Sequence, residues 1–204
     1  MSTTTKNKVQ TYRLTGLGIL TAIIIVLQIS TTLLFRLTAF SITLTLVPIV
    51  VGAAMFGVAA ATYLGAVFGS IVAILVATGF DPTGAAVLAY NPALCIILCI
   101  LKGTLAGLAA GLFYKLFEKK NKTVATFAAA VISPVVNTGT FILGMVLFFK
   151  PLLEGEAAEK GQSILLYAII ALTGINFLIE FGVNIILSPI IVKIVDAVKK
   201  TNRA

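Results

Sequence analysis

Apolar residues occupy successive positions through most of the chain, and polar punctuation cuts them into six segments. These are Tyr12 to Leu34, Thr43 to Phe56, Ala59 to Thr78, Pro92 to Phe117, Val124 to Phe149 and Ile164 to Val195. A hydrocarbon core about 30 Å thick takes about 20 apolar residues of helix, whereas a membrane barrel would alternate apolar with polar residues. The pattern therefore predicts helices that cross a bilayer. The second segment is short, and Gly57-Val58 sets its boundary with the third. The last is long enough to run beyond the bilayer or to break near Pro189. The expected fold is an all-α integral membrane protein, one domain of six transmembrane helices over residues 1–204, with tails at 1–11 and 196–204.

Composition agrees: 59% of residues are hydrophobic and 11% charged, where a soluble domain carries about 25% charged residues. Mean hydropathy is +1.11. The first segment is too long, and too closely followed by others, for a cleaved signal peptide. The net charge of +8 has a topological meaning. Of fifteen Lys and Arg, eleven fall in three places: Lys6, Lys8 and Arg13; Lys115, Lys119, Lys120 and Lys122; and Lys193, Lys199, Lys200 and Arg203. Alternate loops hold Arg36, Lys150 and Lys160 among acidic residues. Positive residues mark the cytoplasmic side, so both termini are expected there. A charge explained by topology gives no reason to invoke nucleic acid.

Several function classes lack their chemistry. There is no GxxxxGK[ST] phosphate loop and no His, so neither an ATPase motor nor the usual imidazole base is present on this chain. Cys95 and Cys99, one helical turn apart in an apolar run, read as small buried residues rather than a disulfide or metal pair. No catalytic or metal constellation is visible, and no paired half-repeat of the secondary-transporter kind. The reading is a binding unit, not an enzyme.

Polar residues inside spans are costly and so are candidates for function. Lys102 lies ten residues beyond Pro92, about 15 Å deep at 1.5 Å per residue. Asn137, in SPVVNTGT beside Thr138, lies about 20 Å from the other surface. Asn176, Glu180 and Asn184 follow each other at four-residue spacing and share a helix face. Lys102 has two readings: a buried ion pair with Glu180 or a snorkelling lysine, or a cation facing a cavity and meeting an anionic ligand. Asn137 and the stripe read either as ligand contacts or as helix-to-helix hydrogen bonds.

Small residues recur at four-residue spacing: Gly18 and Ala22; Ala61, Gly65 and Gly69; Gly103, Gly107 and Gly111. The last two ladders suit internal helix packing, and the first suits a partner. The connector TGFDPTGAAVLAYNP, residues 78–92 with Tyr90, is expected to be ordered by turns rather than helix, and residues 150–163 form a second polar cap.

These features resemble the substrate-binding S components of energy-coupling factor (ECF) vitamin transporters. The segment ITLTLVPIVVGAAMFGVAAATYLGAVFGSIVAIL, residues 42–75, looks like that family's second and third helices. NPALCIILCILKGTLAGLAAG followed by SPVVNTGTFILG is similar to its pantothenate-type branch. The resemblance implies a vitamin bound between helices four to six on the external side of a prokaryotic plasma membrane. It also implies a transmembrane T component and two ATPase subunits, which would carry ATP and Mg while this chain carries no cofactor, and a toppling motion that delivers the vitamin. The family's AxxxA docking motif maps to Gly18 and Ala22, with Gly in its first position. Lys102 stands where the pantothenate-type pattern has a basic residue, often Arg, and keeps the charge without the bidentate fork.

Pantothenate, a monoanion with an amide and two hydroxyls, suits one cation plus Asn137, Asn176, Thr138 and Glu180, with Tyr90 and its loop as a lid. The alternatives are an S component for pyridoxine, folate or riboflavin, or a stand-alone carrier or channel that uses Lys102 and Glu180.

Overall fold

In the computed structural model, residues 3–38, 44–167, 169 and 174–201 are described, with the backbone alone at 3–9, 37, 38, 175, 176 and 198–201. The elements are helices throughout: α1 Thr3–Thr38, α2 Leu46–Phe56, α3 Val58–Ala77, α4 Ala85–Tyr90, α5 Pro92–Phe117, α6 Lys122–Phe148, α7 Lys150–Glu159, α8 Ile164–Tyr167 and α9 Ile175–Thr201. Five stretches are long and apolar enough to cross a membrane: Gln10–Arg36, Val58–Ala77, Pro92–Phe117, Lys122–Phe148 and Phe177–Ala197.

The second expected span departs from the rest. Its helix has 11 residues, about 16 Å of rise, roughly half the hydrocarbon thickness. Eight of those residues are buried, from Leu46 to Ala54, because α1, α3, α5, α6 and α9 all pack on α2. Apolarity here serves the bundle core as much as the lipid. Thr43, the expected start, lies outside the described residues. The break after Phe56 falls where expected: Gly57 takes φ +84°, a conformation that costs glycine little and other residues more. In the last expected segment, α8 and α9 are helical, and residues 168 and 170–173 between them lie outside the described residues. Pro189 does not break α9, which continues through it to Thr201.

Helix starts carry their own chemistry. Asn91 Oδ1 accepts from the Leu94 amide at 3.1 Å, with Pro92 at the first helical position. Asn121 Oδ1 accepts from the Thr123 and Val124 amides at 2.8 and 3.2 Å. Each cap satisfies amides that the helix itself leaves open. The connector after α3 corrects an expectation. Asp81 caps a 3-10 turn at Pro82–Gly84, but Ala85–Tyr90 then forms helix α4, its alanines favouring helix once the turn has started it.

The closest packing joins α3 to α5, antiparallel. A Cβ on Gly65 would run into the Gly103 carbonyl, one on Gly69 would meet the Cys99 carbonyl at 2.5 Å, and one on Gly107 would run into the Ala61 carbonyl. The two ladders are thus internal, and only small residues let these backbones approach. Helix α1 divides differently. Leu20, Ile24, Gln28, Thr31 and Thr32 are buried, while Leu14 is 70% and Val26 62% exposed. Gly18 and Ala22 lie on the exposed side, and a Cβ on Gly18 would meet nothing within 4 Å.

Two ends can be told apart. At one, Arg36 Nη2 donates to the Gly79 carbonyl at 2.8 Å and its guanidinium lies 4.9 Å from the Phe80 ring centre. Tyr90 there packs edge-on against Phe149 at 5.8 Å. At the opposite end, Lys122 Nζ pairs with Asp196 at 3.7 Å across α6 and α9.

Candidate functional site

A cavity of about 240 Å³ runs from the Asp81–Thr83 turn down to Lys102 on α5, Asn137 and Thr138 on α6 and Glu180 on α9. The helix phase explains the convergence. Lys102 follows Cys95, Leu98 and Cys99 on the α5 face that lines the cavity, and Glu180 follows Phe177 on α9. Pro134 sits in the middle of α6, one turn before Thr138 on the same helix.

Lys102 is half-buried, and its Nζ lies 4.9 Å from the centre of the Phe141 ring. The ring's negative face stabilises the ammonium where water is scarce. Glu180 is 7% exposed and lines the same cavity. Among the described residues, however, the two form no salt bridge. Glu180 Oε1 and Asn137 Oδ1 are buried without a hydrogen-bond partner. A buried polar atom left unpaired costs about 1–3 kcal/mol, so this wall is built to accept hydrogen bonds from something else.

The structure thus brings Lys102, Asn137, Thr138 and Glu180 together. Tyr90 is not in the cavity wall; it is 48% exposed and packs on Phe149, which ties the connector before α5 to the start of α7. The Asn176 side chain lies outside the described residues. Asn184 extends the α9 stripe: it is fully buried, and its Nδ2 donates to the Glu180 carbonyl at 2.8 Å. Gly18 and Ala22 are remote from the cavity, on the outer face of α1.

Sequence reasoning missed the polar wall on α1. Thr45 Oγ1 donates to Gln28 Oε1 at 3.0 Å, and Gln28 Nε2 reaches Thr32 Oγ1 at 3.4 Å. Gln28, Thr31 and Thr32 all line the cavity. The signal was present, since polar residues at i, i+3 and i+4 mark one face of an otherwise apolar helix. Asp81 and Thr83 also reach the wall. Asp81 Oδ1 accepts from the Thr83 amide at 3.0 Å and from the Thr83 hydroxyl, so this carboxylate is held by its own turn.

One cation, the Glu180 carboxylate, a set of amide and hydroxyl groups and an aromatic face line one cavity. A family model described as ECF transporter, substrate-specific component, matches residues 12–192. Neither the curated proteins nor the solved structures give a match to the chain.

Proposed function

The chain belongs to the substrate-specific components of ECF transporters, multi-pass membrane subunits that bind a vitamin-like substrate, and on that premise we propose that its substrate is pantothenate. One observation carries the reading. Lys102 is a cation inside a membrane span, it faces a cavity, and it forms no salt bridge among the described residues, although the Glu180 carboxylate lines the same cavity. A ligand carboxylate completes it, since burying either charge alone is expensive. Asn137, Thr138 and the Gln28–Thr32 wall then meet the ligand amide and hydroxyls. The volume of about 240 Å³ falls below the roughly 300–1,000 Å³ of pockets for drug-sized ligands, which favours a compact vitamin over folate with its large pterin.

The rest of the cycle follows from the same premise. Both termini face the cytoplasm, by the placement of the basic residues. The ligand enters at the Asp81–Tyr90 end. The smooth outer face of α1 around Gly18 and Ala22 docks a T component, which couples two ATPases to toppling of the loaded bundle. Calorimetric titration of Lys102→Ala tests the site. Pantothenate affinity should fall by about 30-fold or more, because removing one partner of a buried charge pair costs about 2–5 kcal/mol. Full affinity in that variant would remove the lysine from the site. Uptake into liposomes by the isolated chain, without partners or ATP, would favour a stand-alone carrier instead.

A further inference from the structure

From the cavity wall downward, the seam between α6 and α9 adds two more unsatisfied oxygens to those of Asn137 and Glu180. Ser133 and Asn184 are fully buried, Glu180 is 7% and Asn137 8% exposed. Ser133 Oγ, Asn137 Oδ1, Glu180 Oε1 and Asn184 Oδ1 all lack a hydrogen-bond partner. Their register is fixed from both ends. Lys122 pairs with Asp196 at one end of the antiparallel helices, and Asn137 shares the cavity wall with Glu180, as Phe141 does with Phe177, at the other. Stepping one turn from Asn137 and one turn from Glu180 places Ser133 opposite Asn184. Four oxygens thus occupy two adjacent levels, and only the Ser133 hydroxyl has a proton to give.

Charge counting says what they await. The interior of the cavity holds one cation, Lys102, and one buried carboxylate, Glu180. Asp81 stands at the mouth, bound into its turn, and the Cys95 and Cys99 thiols complete the ionisable groups facing this space. Helix α2 contributes no ionisable side chain. A ligand carboxylate beside Lys102 leaves the interior with one uncompensated negative charge, which a low-dielectric membrane site does not tolerate. Resting on the reading of the ligand as a carboxylate, we propose that its capture is accompanied by uptake of one monovalent cation, a proton or an alkali ion, at Glu180, in the seam with Ser133, Asn137 and Asn184. A proton converts Glu180 into a donor for the neighbouring amide oxygens. An alkali ion is instead coordinated by the four oxygens.

The test is calorimetry of pantothenate, as its N-methylglucamine salt, on the purified full chain from pH 6 to 9, with sodium chloride against N-methylglucamine chloride. Linkage to one proton makes affinity fall towards tenfold per pH unit in the upper part of that range, with one proton taken up when buffers of different ionisation enthalpy are compared. Linkage to an alkali ion makes affinity rise towards tenfold per decade of sodium. Glu180→Gln is expected to change pantothenate affinity and to lose the slope, and Asn184→Ala to weaken the sodium dependence. Binding that ignores both pH and sodium overturns this inference and leaves the proposed function standing. A pH slope that survives in Glu180→Gln also overturns it, because the slope then belongs to Lys102 or the thiols. Absence of pantothenate binding overturns the function and the linkage together.

Discussion

Lys102 and Arg36 illustrate how position decides what a charge does. Arg36, at the end of α1, is exposed and spends its guanidinium on the Gly79 carbonyl and the Phe80 ring. It staples the connector over the cavity mouth. Arg36→Ala is expected to leave the fold intact and to raise the ligand off-rate several-fold, measured by stopped-flow displacement; an unchanged off-rate would show that the connector holds itself. Lys102 lies over the Phe141 face and forms no salt bridge among the described residues, which leaves its ammonium donors available. The sequence made Lys102, Asn137 and Glu180 visible because a charge or amide inside an apolar run is conspicuous. Gln28, Thr31 and Thr32 were less so, since threonine is common in membrane helices and the small-residue pair is the more conspicuous feature of the first span. Asp81 and Thr83 are legible only as part of the connector expected to form a lid, because their place in the wall depends on how that connector folds back over the bundle.

Two kinds of glycine ladder separate at the level of helices. On α3 and α5 the glycines meet backbone, so Gly65→Leu or Gly103→Leu forces the helices apart. The expected result is loss of monodisperse protein on size exclusion and several degrees or more off Tm, consistent with the 1–3 kcal/mol cost of overpacking. On α1, Gly18 meets nothing. Gly18→Leu should leave thermal stability and ligand affinity unchanged and abolish uptake in cells that carry the ECF module; normal uptake would move docking to another face. Sequence spacing revealed both ladders, but which faces inward is a property of the assembled bundle. The polar cap supplies a pH prediction. Tyr167, outside the five membrane-length helices, donates to Glu156 at 2.6 Å. That bond, then burial and the carboxylate's charge, pushes its phenol up to about 12. A phenol pKa above its ordinary value of about 10 contributes stability that is complete below pH 10 and lost as pH rises towards 12. The unfolding midpoint should therefore be insensitive to Tyr167 ionisation up to pH 10 and fall above it, and Tyr167→Phe should remove that component of the fall.

Across the whole molecule, polarity is arranged along the bundle axis. Arg36, Asp81 and Tyr90 gather at one end and Lys122 and Asp196 at the other, with the cavity reaching inward from the first. The hydrophobic pattern conveyed the class of fold because burying apolar helices in lipid is a one-dimensional requirement. It did not convey that α2 is enclosed by its neighbours, since lipid and protein interiors demand the same residues. The central claim, that this substrate-specific component captures a small carboxylate vitamin through Lys102, is tested most directly by calorimetric titration of the purified chain with pantothenate beside pyridoxine, folate and riboflavin. The account predicts one-to-one binding of pantothenate that collapses in Lys102→Ala; tight binding of neutral pyridoxine, indifferent to that substitution, would contradict it.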